Sequence, residues 1–418
     1  MESNEPPPKR SRPVVNPDTR VELHALALLI EDDEYVVGRV ATDEFVALPK
    51  IGGRVIECLQ AEQSATLQEI QAQLAVEYDA DVDLIAFVRD LLDLDFVKTI
   101  DGYPMSSSKE IRPSLPWVQP HHVRWLFSRP AQGSYSALLV LALITLVTHN
   151  GLIPRYQDFF WSTATSIVIF GNTAIVLTNL MVHEFAHLVA ARSLGVTAHI
   201  SLGTRLQYLV IQTNVTGLWA LPRRQRYRVY LAGIVWDTLV IAIAFLLLAY
   251  IPLPLLARSL LHSLIFLNFL GILWQFHLYM RTDLYFVALN FFHCHNLFED
   301  AVAYLRYSIK QFWLRSVCRG APVDSVNPLD LLEAHERYKV MVYAGLVTIG
   351  SSVALVVFFL YELPLLLELF AQAGVSVSRG FMLSQPLRLL DGSVTLLIEG
   401  GLQVLFFVTL LKKRKRQN

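Results

Sequence analysis

Residues 165–191 read TSIVIFGNTAIVLTNLMVHEFAHLVAA. The run is apolar for longer than the roughly 20 residues that span a bilayer, and Glu184 is its only charged residue. No soluble helix needs so continuous a greasy surface, so this stretch predicts a transmembrane helix with a polar cluster near its C-terminal end. Working outward, five more windows of similar character appear, at about 134–153, 229–251, 259–280, 340–361 and 388–411. His262 and Asn268 interrupt the fourth span and Asp391 and Glu399 the sixth. Cations gather at alternate connections. Arg124 and Arg129 precede the first span, and Arg192, Arg205, Arg223, Arg224, Arg226 and Arg228 separate the second from the third. A third group, Arg281 to Lys339, separates the fourth from the fifth, and Lys412–Arg416 follow the last. Six spans with both termini cytoplasmic put all four groups on the side where Lys and Arg accumulate.

Composition agrees. Of 418 residues, 54% are hydrophobic and 17% charged, against about 25% charged in soluble domains, and the mean hydropathy is +0.42. A net charge of −1 gives no case for nucleic acid as a partner. Cys58, Cys294 and Cys318 are odd in number and far apart, which argues against a disulfide framework or a cysteine metal site.

The N-terminal part reads differently. Residues 1–20 are polar and proline-rich without an apolar core, which predicts a disordered lead-in rather than a secretory signal. Residues 21–102 carry strand-like patterns at Val21–Leu29, Glu34–Val40 and Phe45–Leu48, then helical ones at Lys50–Leu59, Thr66–Tyr78 and Val82–Leu94. Ser64 or Thr66 caps the second helix, with Glu69 three residues beyond Thr66. This pattern predicts a small α+β, winged-helix-like domain. A linker over 103–130, a membrane core over 131–312 and a two-span region with a basic tail over 313–418 complete the expected plan: a mainly α, polytopic helix bundle with a small N-terminal domain.

His183 and His187 stand four residues apart, on one helical face, and can ligate one metal ion. Glu184 beside them is placed to act as a general base, the HExxH arrangement of zinc proteases. Ionisable groups inside a membrane are costly and mark functional sites. A catalytic zinc needs a third protein ligand. Asp283 is the candidate, because the topology sets it at the cytoplasmic end of the fourth span, near the depth of the histidines. His293 and His295 are competing nitrogen ligands. Asp237, in the third span, is a candidate substrate contact or a support for a neighbouring group. His199–Leu221 alternates polar and apolar residues and can form a hairpin to which an extended substrate adds a strand.

Together these residues resemble the site-2 protease family of membrane metallopeptidases. Val182–Arg192 matches its HExxH helix, and Thr282-Asp283-Leu284-Tyr285-Phe286 matches its later aspartate motif, with Leu284 where glycine is usual. The nearest resemblance is to the peptide zinc metalloproteases that accompany ribosomally made, modified peptides, in which Tyr-Phe and a later Asn-Leu follow the aspartate, as Asn296-Leu297 does here. Asp237 stands where many members carry a substrate-contacting asparagine. The resemblance covers roughly residues 130–310. It implies Zn2+ held by His183, His187 and Asp283, with Glu184 as the general base of an intramembrane peptide-bond hydrolysis. The substrate would be a peptide or membrane protein, and the setting the bilayer of a bacterial cytoplasmic membrane. The 21–102 module is similar to PqqD-like leader-peptide recognition domains, which implies that a leader peptide adds to its sheet. A peptide exporter, with polar residues lining a path, and a non-catalytic scaffold for peptide maturation are the alternative readings.

Overall fold

A computed structural model describes residues 13–31, 34–42, 44–61, 65–78, 82–105, 111–149, 151–162, 165–205, 208–294, 296–317, 326–332 and 334–417. The chain forms two compact units. One holds the residues up to Ser114 together with Val215–Pro222, and the other holds Leu115–Asn214 and the chain from Arg223 onward.

In the first unit, β1 (Val21–Leu23), β2 (Ala27–Glu31), β3 (Glu34–Arg39) and β4 (Glu44–Pro49) precede α1 (Lys50–Ala61), α2 (Leu67–Tyr78) and α3 (Leu84–Asp93), followed by β5 (Val97–Ile100) and β6 (Tyr103–Pro104). The first expected strand is two. β1 pairs with β5 and β2 with β3, giving separate sheets ordered β1-β5-β6 and β2-β3-β4. The His24 N–H donates to Phe96 O at 2.9 Å, so the chain leaves the first sheet there and joins the second at Ala27. The β5–β6 hairpin has too few residues to show a period and was not foreseen. Thr66 and Glu69 cap α2 reciprocally, at 2.8 and 3.3 Å; Ser64 lies outside the described residues. Val37, Val55, Ile56, Ile70, Val88 and Phe96 form the core of the unit. Arg39 and Asp95 pair at 2.7 Å, both largely buried.

The expected lead-in needs correction from residue 13, its earlier part lying outside the described residues. Val15 belongs to the core, and Arg20 bridges to Thr66. A buried aliphatic and a backbone pairing hold this stretch despite its polar composition.

The second unit begins with α4 (Pro120–Val123) and α5 (Arg129–Thr148), then α6 (Thr165–Ser193) and the hairpin β7 (His199–Arg205) and β8 (Tyr208–Asn214). Next come α7 (Arg223–Tyr230), α8 (Ala232–Tyr250), α9 (Leu255–Trp274), α10 (Asp283–Phe291) and α11 (Leu297–Val317). The last three helices are α12 (Ala334–Val357), α13 (Leu363–Met382) and α14 (Pro386–Gln417). Six of the described helices are long and apolar enough to cross a membrane: α5, α6, α8, α9, α12 and α14. They occupy the six apolar windows, and such helices suggest a membrane protein.

Several polar residues within the windows bond to neighbouring helices. Ser263 Oγ donates to Asn172 Oδ1 at 2.9 Å, and Asp391 Oδ1 accepts the Ser166 N–H at the start of α6 at 3.2 Å. Ala142 of α5, Ala242, Phe245 and Leu248 of α8 and Ile265 of α9 pack into one apolar cluster.

The C-terminal region holds the two expected span candidates, in α12 and α14, and a further helix, α13, between them. The helical run is unbroken from Ala334 to Met382, passing through a π turn at Phe358–Glu362. Pro364 explains the turn: it has no N–H for the carbonyl four residues back, and its ring needs the wider coil. α13 escaped notice because Glu368, Gln372, Ser376, Ser378 and Arg379 dilute its apolar residues. It returns antiparallel against α14, where a Cβ on Gly392 would lie 2.6 Å from Ala373 O and one on Gly380 2.5 Å from Leu389 N. Small residues permit that close approach.

Candidate metal centre

Helical periodicity builds the site from α6 and α8. Asn179, His183 and His187 follow one another at intervals of four on α6, and Gly233 and Asp237 do the same on α8, so each set shares a face. The two faces meet closely because Gly233 has no side chain. A Cβ there would lie 2.6 Å from His187 Nε2 and closer still to His183 Nε2. The third contribution comes from the turn between α9 and α10. Thr282 Oγ1 donates to Gln275 O at 2.6 Å and the Asp283 N–H to Gln275 Oε1 at 3.0 Å. Arg281 takes the left-handed conformation (φ 57°) that reverses the chain. Arg205 Nη1, from β7, donates to the carbonyls of Met280 and Arg281, and its Nη2 to Gln212 Oε1 at 3.1 Å. Leu284, where glycine was the usual residue, lies within α10 in ordinary helical conformation, so a side chain there costs nothing.

His183 Nε2, His187 Nε2 and Asp283 Oδ2 form a near-equilateral triangle, with sides of 3.2, 3.0 and 3.1 Å. The outer nitrogens decide its character. His187 Nδ1 faces Val229 O at 2.7 Å, a group that only accepts, so Nδ1 carries the proton. His183 Nδ1 faces Asp237 Oδ2 at 2.9 Å and likewise donates. With neutral rings, both Nε2 atoms present lone pairs to each other and to a carboxylate oxygen. One added proton would satisfy two of these atoms and leave the third, two would set a pair of imidazolium nitrogens 3.2 Å apart, and a divalent cation satisfies all three. Ligands about 2.0–2.1 Å from a tetrahedral zinc stand about 3.3 Å apart, close to the observed sides. The donor set of two imidazoles and a carboxylate, with a carboxylate and a carbonyl behind the imidazoles, fits zinc chemistry.

Glu184 shares the cluster: with His183 and His187 it can set ligand atoms within 4.8 Å of one another. Its Oε2 accepts from Thr213 Oγ1 of β8 at 2.7 Å, and the same hydroxyl lies 2.9 Å from Glu184 O. Both histidines and Glu184 are buried, while the Asp283 side chain keeps 21% exposure, the least enclosed of the cluster.

Asp237, considered as a substrate contact, stands behind His183. Its Oδ2 engages the imidazole and its Oδ1 accepts from Asn179 Nδ2 at 3.0 Å, and it is buried. Both oxygens are occupied within the protein, which makes it a support for the ring rather than a surface for substrate. His293 lies in the turn after α10 in left-handed conformation, about 15 Å along the chain from Asp283 at helical rise; His295 lies outside the described residues. Cys58 and Cys294 are buried and outside any disulfide. Thr213 and Gly233 had no assigned part in the sequence reading, and Arg205 was counted only among the basic flanks of the spans. Only Asn179 carried a signal, its spacing of four from His183. Comparison with family models, curated proteins and solved structures finds no match to this chain.

Proposed function

We propose that the chain is a membrane zinc metallopeptidase of the site-2 protease kind, in which His183, His187 and Asp283 hold the metal and Glu184 is the general base. The observation that supports this reading best is the triangle of His183 Nε2, His187 Nε2 and Asp283 Oδ2, three acceptors when the rings are neutral. Such an arrangement is repulsive without a cation, and a membrane helix has little reason to keep it. Zinc, when bound there, would supply a Lewis acid for the scissile carbonyl and bring the pKa of a water to about 7. The chain's own residues do the remainder. Glu184 Oε1 takes a proton from the attacking water and returns it to the leaving nitrogen, while Thr213 holds Oε2. Arg205 and Gln275 fix the turn that carries Asp283. An extended substrate segment reaches the centre alongside the β7–β8 hairpin. The β2-β3-β4 sheet of the N-terminal unit receives a leader segment of a precursor peptide. The setting is a bacterial cytoplasmic membrane with both termini in the cytoplasm.

The test is metal content and cleavage with the full chain in detergent or nanodiscs. About one zinc per chain is expected for wild type and Glu184→Gln, and almost none for His183→Ala or Asp283→Ala. Glu184→Gln should abolish cleavage of a reporter peptide that wild type cuts. Full zinc occupancy in Asp283→Ala, or cleavage that survives Glu184→Gln, would overturn the proposal.

A further inference from the structure

We infer that Asp237, held by Asn179, is a positioning residue: it fixes the tautomer of His183 and supplies the buried charge that lets a dication sit among membrane helices. This rests on the metal reading and extends it to a group that need touch neither metal nor substrate.

Three observations carry it. First, the two imidazoles are supported unequally. His187 leans on a backbone carbonyl at 2.7 Å, and His183 on a carboxylate at 2.9 Å. A carboxylate behind a ligating imidazole makes the ring a stronger donor than a carbonyl does, and removing such a partner typically weakens metal affinity about 10–100-fold. Second, Asp237 has no other employment. Its second oxygen is held by Asn179 at 3.0 Å, its partner within ion-pair distance is the His183 ring itself, and it is buried. A lone buried carboxylate is expensive unless something compensates its charge. Third, the charge is placed locally. Two neutral imidazoles and Asp283 would leave a bound dication with a net positive charge, and Asp237 adds a buried carboxylate directly behind a ligating ring, on the side away from Glu184 and Arg205. The geometry is built for this, because Gly233, one turn before Asp237 on α8, brings that helix against the same two rings.

The experiment uses the full chain in nanodiscs and measures Zn2+ affinity by competition with a chromophoric chelator, alongside thermal unfolding with and without Zn2+. Asp237→Ala should bind Zn2+ about 10–100-fold more weakly. Asp237→Asn, which keeps an acceptor but loses the charge, should fall between it and wild type. Asn179→Ala should weaken binding in the same direction by a smaller factor, and it remains informative if Asp237→Ala fails to fold. The stabilisation that Zn2+ confers should shrink correspondingly, by about 1.4 kcal/mol per tenfold loss of affinity. A residue that merely packs would lower the loaded and metal-free midpoints together and leave that difference intact. Unchanged affinity in the foldable variants overturns the inference while sparing the metal reading. A wild-type chain that takes up no Zn2+ removes both.

Discussion

The two units use apolar residues in opposite directions. In the N-terminal unit Val55, Ile56 and Leu59 of α1, Leu67, Ile70 and Leu74 of α2 and Leu84, Val88 and Leu91 of α3 are buried together, and Val76 of α2 stands outside that core. In the other unit Val140, Leu143, Ile144 and Val147 of α5 and Ile167 and Phe170 of α6 face outward, while Asn172, His183, Glu184, His187, Asp237, Ser263 and Asn268 are buried. The same physics produces both patterns once the solvent is changed. In water the apolar surface is hidden, and in lipid the polar groups are. An outward polar residue in the first unit therefore says nothing, whereas an inward one in the second points to a site.

One substitution made in both units tests that contrast most severely. Val140, at mid-length of α5, is 58% exposed, and Val140→Asp should cost about 3 kcal/mol of membrane insertion, read as loss of inserted chain in a glycosylation-mapping or protease-protection assay. Insertion unaffected by that change would take α5 out of the bilayer and break the comparison. Next in size, Gly233→Ala places a methyl group where the two imidazoles meet. Forcing α6 and α8 apart should destabilise the bundle by about 1–3 kcal/mol and lower zinc content, measured by thermal unfolding and metal analysis. An alanine accepted without loss would mean that the helices do not approach as closely as described. Smallest is the partner of the first: Val76 in α2 is 90% exposed, and Val76→Asp should change stability by no more than about 0.5 kcal/mol, followed by hydrogen exchange across residues 67–78.

The sequence made some of this visible and not the rest, for identifiable reasons. Continuous apolar windows announce membrane helices because length and composition alone decide them. The His183–His187 pair is visible because its spacing lies within one helix. Asp283 could be brought near by topology, since basic flanks set the depth of each span. The place of Asp237 behind His183 could not be read, because facing positions on two helices depend on their mutual rotation, which Gly233 permits but no local pattern encodes. Thr213 was hidden for a similar reason: one threonine among several in a hairpin carries no mark of which glutamate it meets. α13 was missed because its polar residues lower its average below that of a span, although its packing against α14 uses small residues that hydropathy does not score.

The β7–β8 ribbon touches both halves of the candidate centre. Arg205 on one strand grips the carbonyls just before Asp283, and Thr213 on the other grips the carboxylate of Glu184. Paired across seven registered positions from His199↔Asn214 to Arg205↔Tyr208, the strands act as a yoke. A displacement of the ribbon therefore has contacts through which to reach both the ligand turn and the base.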